Sequence, residues 1–174
     1  MEFETPIDAW YMWLGVAFAT IAIASVALSL PTQPPPDATA VANTIDRVAG
    51  STEVAGASYE HDAEEVRVDM SRLSMRNGGG TAHASITFGP ITPVAAVSNT
   101  TKQAALFALL DGTPPSVALN RPQFAGLTEA DLHGAVSEVR RNLWDQTPEW
   151  QPASGTLRIR KLELDGKVVV LVAV

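Results

Sequence analysis

Few side chains in this sequence can do acid–base, nucleophilic or metal chemistry. There are three histidines, His61, His83 and His133, and no cysteine. A metal site needs donors at a helix or loop spacing, such as two histidines four apart around a glutamate. None of the three stands with a second histidine or an acid in a recognised ligand pattern such as His-Glu-x-x-His. Without cysteine there is no thiolate ligand, disulfide or cysteine nucleophile. Asp62, Glu64 and Glu65 form a small acidic cluster that reads as solvated charge at a strand entrance. No metal and no other cofactor is expected.

Asn77-Gly78-Gly79-Gly80 has the glycine content of a phosphate loop, yet the Lys and Ser/Thr that follow such a loop are missing and a strand follows instead of a helix. It reads as a hairpin turn. No Gly-x-Ser-x-Gly elbow occurs, and the serines are scattered without a neighbouring base. A hydrolase would have to gather Glu129, Asp131 and His133 with a distant nucleophile, so the chain is not expected to be an enzyme. The basic clusters are Arg140-Arg141 and Arg158-Ile159-Arg160-Lys161. With 19 acids against 12 bases and a net charge of −7, they are expected to pair with local carboxylates or touch lipid headgroups, and nucleic acid is not expected as a partner. Asn99-Thr100-Thr101 is a glycosylation sequon, with Asn99 the candidate acceptor. Thr81, His83, Ser85 and Thr87 alternate with apolar residues and would make one regular polar strand face.

The elements that position these residues begin with an apolar run. No charge occurs between Asp8 and Asp37. Residues 9–30 as a helix would be about 33 Å long, enough to cross a bilayer core. Trp10, Tyr11 and Trp13 suit the headgroup boundary, and Pro31 closes the other end. Gly15, Ala19 and Ala22, continued by Ser25 and Ser29, put small side chains on one stripe where a partner helix can approach. The residues before the run are acidic, unlike the basic start of a secretory signal, so the helix is expected to stay attached. The first base is Arg47, and the positive-inside rule therefore leaves orientation open. The 174 residues divide into a short acidic tail at 1–8, a transmembrane helix at 9–30, a Pro-rich spacer at 31–37 and a soluble domain at 38–174.

In that domain Asp37 suits an N-cap, with Val41, Ile45 and Val48 at helical spacing and Gly50 as the stop, which predicts a helix over 38–49. Val66, Val68 and Met70 alternate with polar residues, and Leu73 and Met75 resume out of phase, which implies a bulge or tight turn near Ser71 and Arg72. Ala82, Ala84, Ile86 and Phe88 form the core face of the next strand, ended by Gly89, Pro90 and Pro93. Thr100 and Gln103 read as a capping box for a helix through Leu110, stopped by Gly112 and Pro114-Pro115. Thr128 and Asp131 form a second box, with Leu132, Val136, Val139 and Leu143 as the buried stripe of the helix that follows. Asp165-Gly166 suits a type I′ turn between strands at 157–164 and 167–174. The last strand is apolar on both faces and should lie inside a sheet. The expected fold is α+β: the transmembrane helix, then an antiparallel sheet of about four to five strands packed with two to three helices.

Three lysines against nine arginines, with acids in excess, resemble the composition of proteins from salt-adapted archaea. Four stretches are similar to an uncharacterised family of haloarchaeal single-span membrane proteins. They are Asp8-Ala9-Trp10-Tyr11-Met12-Trp13-Leu14-Gly15, the exit made of Leu30-Pro31-Thr32 and Pro34-Pro35-Pro36-Asp37, Arg72-Leu73-Ser74-Met75-Arg76-Asn77-Gly78-Gly79-Gly80-Thr81-Ala82-His83-Ala84, and Ser154-Gly155-Thr156-Leu157-Arg158-Ile159-Arg160-Lys161. The resemblance brings no activity; it implies association with type IV pilus-like or Tad-like secretion machinery. Glu4-Thr5-Pro6-Ile7-Asp8 lacks the basic and small residues that precede a prepilin segment, which fits an accessory subunit and not a polymerised pilin. The expectation is a non-enzymatic, single-pass envelope protein with an extracytoplasmic domain. Its partners would be the bilayer and a membrane protein met through the anchor or the sheet. The alternative is a membrane-tethered binding or sensory module that takes a small ligand or ion on the polar strand face.

Overall fold

The computed structural model describes residues 7–29, 33–153 and 155–174. Most of the expected acidic tail, the end of the expected span at Leu30, Pro31 and Thr32 of the spacer, and Ser154 lie outside the described residues. The chain divides into two units, Met1–Gln33 and Pro34–Val174.

The first unit is α1 (Ile7–Ser29), with residues 10–29 exposed throughout. Trp10–Ser29 is long and apolar enough to cross a membrane. Its hydroxyls turn back on the helix: Thr20 donates to the Val16 carbonyl (2.8 Å), Ser25 to Ala22 (2.8 Å) and Ser29 to Val26 (2.7 Å). All three groups are thereby satisfied within the helix itself.

The second unit runs α2 (Ala38–Ala49), β1 (Ala55–Glu60), β2 (Glu65–Val68), β3 (Arg72–Asn77), β4 (Gly80–Ser85), β5 (Ile91–Pro93), α3 (Thr100–Leu110), α4 (Pro115–Leu119), α5 (Glu129–Asp145), β6 (Gln151–Pro152), β7 (Thr156–Leu164) and β8 (Lys167–Ala173). It is α+β, with two four-stranded sheets where one was expected. The first has the order β1-β7-β8-β5, antiparallel except for β5, which runs parallel to β8. The second has the order β4-β3-β2-β6 and is antiparallel throughout.

Strand β8 explains the layering. Val170 and Val172 enter one buried cluster with Val41 and Ile45 of α2, while Val169, Leu171 and Ala173 enter another with Leu106 and Leu109 of α3 and Leu132 and Val136 of α5. Both faces of a central strand are thereby covered, as its continuous apolar run requires. Strand β7 obeys the same alternation: Leu157 and Ile159 face α2, whereas Leu162 and Leu164 face the other helices. Helix α2 is itself packed on two sides, against β1 and β7 and against β3 and β4.

Local chemistry fixes the ends of these elements. Asp37 Oδ1 accepts the Ala40 amide (2.9 Å) at the start of α2. At its C-terminal end, the Lys161 ammonium donates to the carbonyls of Ala49 (2.9 Å) and Ser51, a cation placed where the helix leaves unpaired acceptors. Thr128 and Asp131 close the expected capping box of α5. Asp165 (φ 53°) and Gly166 (φ 70°) make the left-handed pair that a type I′ turn requires, and the Asp165 amide donates to Glu129 Oε2 (3.0 Å), tying the hairpin to α5.

Four details differ from the sequence reading. The strand at 80–85 stops before Phe88, which is 57% exposed. Asp46 Oδ1 on α2 accepts the amides of Thr87 and Phe88 (2.9 Å each) and draws the chain out of the ladder. Residues 91–93 pair in parallel with β8, at a sheet edge where proline is tolerated. Asn99, not Thr100, caps α3 by accepting the Lys102 amide (3.0 Å), and Gln103 donates instead to the carbonyls of Val94 and Ala95. Pro115 starts the one-turn α4 at a position where its missing N–H is no loss.

Replacing Lys161 by Met keeps the aliphatic stem but abandons two carbonyls. Denaturant unfolding should show a loss of about 1–3 kcal/mol; an unchanged midpoint would mean that the ammonium adds nothing to the α2 terminus.

Candidate functional site

The polar strand face expected from the sequence exists, and the second sheet makes it larger. Val66, Val68, Leu73 and Met75 of β2 and β3 are buried in the cluster that includes α2. The alternating residues therefore face outward. Register sets them in rows: Arg67 pairs with Ser74 and Ser74 with His83; Glu65 pairs with Arg76 and Arg76 with Thr81; Arg72 pairs with Ser85. The register follows from the tight β2–β3 connection, where the Asp69 amide donates to the Arg72 carbonyl (2.9 Å), and from the β3–β4 turn, where Asn77 Oδ1 accepts the Gly79 amide (2.8 Å). Thr81, His83, Ser85 and Thr87 are all exposed, as expected.

Trp150 roofs the middle of this face. It precedes β6, whose pairing places Gln151 opposite Val66, and its ring lies 4.9 Å from the Arg67 guanidinium carbon and 4.5 Å from that of Arg76. Arg76 also pairs with Glu65, and that hydrogen bond holds the Glu65 carboxyl below its ordinary range. Ser74, across from Arg67 in the ladder, is 2% exposed, and its Oγ lies 2.8 Å from His83 Nδ1. The sequence showed no base beside a serine; the fold supplies one across the ladder. Among the described residues, no carboxylate is hydrogen-bonded to His83, so the pair lacks the third group that orients a catalytic histidine.

The other singled-out residues are not gathered here. His61 follows β1; its Nδ1 accepts the Ala63 amide (3.2 Å), and burial lowers its pKa against the opposing effect of Asp62. Asp131 serves the α5 cap and Glu129 the β7–β8 turn, and among the described residues no hydrogen bond links either to His133. Among the described residues, no three His, Asp or Glu side chains are grouped to hold a metal. Arg158 pairs with Asp111, as expected of the basic cluster. Arg140 instead donates to Thr92 Oγ1 (3.0 Å) and the Pro90 carbonyl (3.1 Å), and burial lowers its pKa. Asn99 is exposed. Trp10, Tyr11 and Trp13 are exposed near the start of α1, and Gly15, Ala19 and Ala22 share one exposed stripe of that helix.

Asn77-Gly78-Gly79-Gly80 has a second task. Asn77 Nδ2 donates to the Pro34 carbonyl (3.1 Å) and to Asp62 Oδ2 (3.2 Å), and a Cβ built on Gly80 would touch the Pro35 ring at 3.5 Å. The later part of the proline stretch is therefore seated on the domain. Sequence reasoning missed Arg67, Arg72, Arg76 and Trp150. Pairing the two hairpins through their turns would have found the arginines, whereas Trp150 carries no local signal.

Residues 4–162 match the model of DUF7283, a family of unknown function, and the chain belongs to that family. No curated protein and no solved structure matches it.

Stacking on Trp150 should couple to the arginines. In a double-mutant cycle of Trp150→Leu with Arg76→Met, unfolding free energies should give a coupling of about 0.5–1 kcal/mol. Strict additivity would remove the ring from the account of this face.

Proposed function

We propose that this DUF7283 protein is a non-enzymatic, single-pass membrane protein of the cell envelope whose domain is extracytoplasmic and acts by contact. In this reading it is an accessory subunit of a surface or pilus-like secretion assembly in a salt-adapted archaeon. The observation that carries the reading is α1: residues 10–29 are exposed and almost wholly apolar, and the hydroxyls of Thr20, Ser25 and Ser29 are bonded to the helix's own carbonyls. Such a surface is costly in water and suited to lipid. Trp10, Tyr11 and Trp13 would sit at the headgroup boundary, and the Gly15, Ala19 and Ala22 stripe would meet a partner helix. The acid-rich, lysine-poor composition supports the salt-adapted source, and exposed Asn99 would be the glycosylated residue on an outward domain.

A second reading, a tethered binding or sensory module, is favoured by the outer face of the second sheet. There His83, Ser85 and Thr81 stand beside three arginines in a chain of net charge −7. In both readings the outer face of the second sheet would be the surface through which the domain makes contact.

Protease added to intact cells should remove a C-terminal tag from the chain, while the tag in sealed inverted vesicles should survive. Cleavage in inverted vesicles alone would overturn the extracytoplasmic domain, and release of the intact chain on washing membranes would overturn the anchor.

A further inference from the structure

The outer face of the second sheet carries three arginines, of which one is held in an ion pair. Arg76 is held by Glu65, but Arg67 and Arg72 make no ion pair among the described residues. They stand on a diagonal of the β2–β3 ladder, because Arg67 pairs with Ser74 and Val68 with Leu73. Like charges so placed repel each other. Asp69, the carboxylate nearest in register, uses Oδ1 to accept the Met70 amide (2.7 Å) and forms no ion pair with Arg72. Ser85 lies directly across from Arg72. His83 engages Ser74 through Nδ1, leaving Nε2 as its remaining polar atom. Arg67, Arg72, His83 and Ser85 line one open groove of about 350 Å³, and Trp150 stacking steadies Arg67 at its wall.

We propose that this groove binds a tetrahedral oxyanion, a phosphate or phosphomonoester group, between Arg67 and Arg72, with Ser85 and His83 as further donors. One guanidinium fork already satisfies the two oxygens of a carboxylate. Two forks with a hydroxyl and an imidazole match the three or four oxygens and the double charge of a phosphate. A free phosphate ester and a phosphate-bearing headgroup offer the same chemistry. The proposal rests on the reading of this face as the working surface.

The test uses the full chain in phosphatidylcholine nanodiscs, with inorganic phosphate titrated against chloride at matched ionic strength and Tm as the readout. Phosphate should raise Tm saturably, as a ligand of the folded state does. Arg72→Gln and Arg67→Gln should each weaken the response about tenfold or more, while Arg47→Gln on the exposed side of α2 should leave it unchanged. A parallel sample containing phosphatidic acid identifies the source. A raised Tm without added phosphate, lost in Arg72→Gln, assigns a lipid headgroup; no such rise, with the response to free phosphate intact, assigns a soluble ester. Both support the site. An equal effect of chloride, or both glutamine variants responding as the wild type does, would overturn it. Protease accessibility is read independently, so failure of the site and failure of the envelope reading are distinguishable.

Discussion

Strand β8 is apolar on both faces, and no arrangement that leaves either face in water would be stable. Residues Val170 and Val172 need a cover on one side, Val169 and Leu171 on the other. Helix α2 supplies the first cover and α3 and α5 the second. Helix α2 buries Val41, Ala42, Ile45 and Val48, a stripe wider than a single sheet contact uses. The second sheet takes up the remainder. Its role in the core is thus to cover a helix, which explains why four short strands persist with one apolar face.

That division of labour frees the opposite face. With Val66, Val68, Leu73 and Met75 committed to the core, the alternation of the strands commits Arg67, Arg72, Ser74, Arg76 and His83 to the outside. The two turns then determine which of them meet. A slip of one residue in the β2–β3 pairing would exchange the faces and break the row of Arg67, Ser74 and His83. The polar surface and the core are one constraint seen from two sides.

Much of this was legible from local pattern. The caps at Asp37 and Thr128, the Asp165-Gly166 turn, the phase change near Ser71 and the interior placement of β8 all depend on residues close in sequence, and the structure keeps them. What was not legible depends on distant partners. Phe88 continues the alternation of β4, yet Asp46, far back in the chain, draws its amide away. The parallel pairing of β5 is hidden by Pro93 within it and Pro90 just before it. The second sheet could not be told from the first because two-residue β6 and Trp150, which complete it, lie beyond three helices. Ser74 and His83 were both visible, but their pairing requires the register of the β3–β4 hairpin.

We propose that the anchored domain works through the outer face of its second sheet. The most direct measurement is site-specific photo-crosslinking in native membranes, with the reactive group at position 85 on that face or at position 163 on the exposed part of β7. A discrete adduct is expected from position 85, lost when Arg72 is changed to Gln, and none from position 163. Adducts from position 163 with none from position 85 would contradict it.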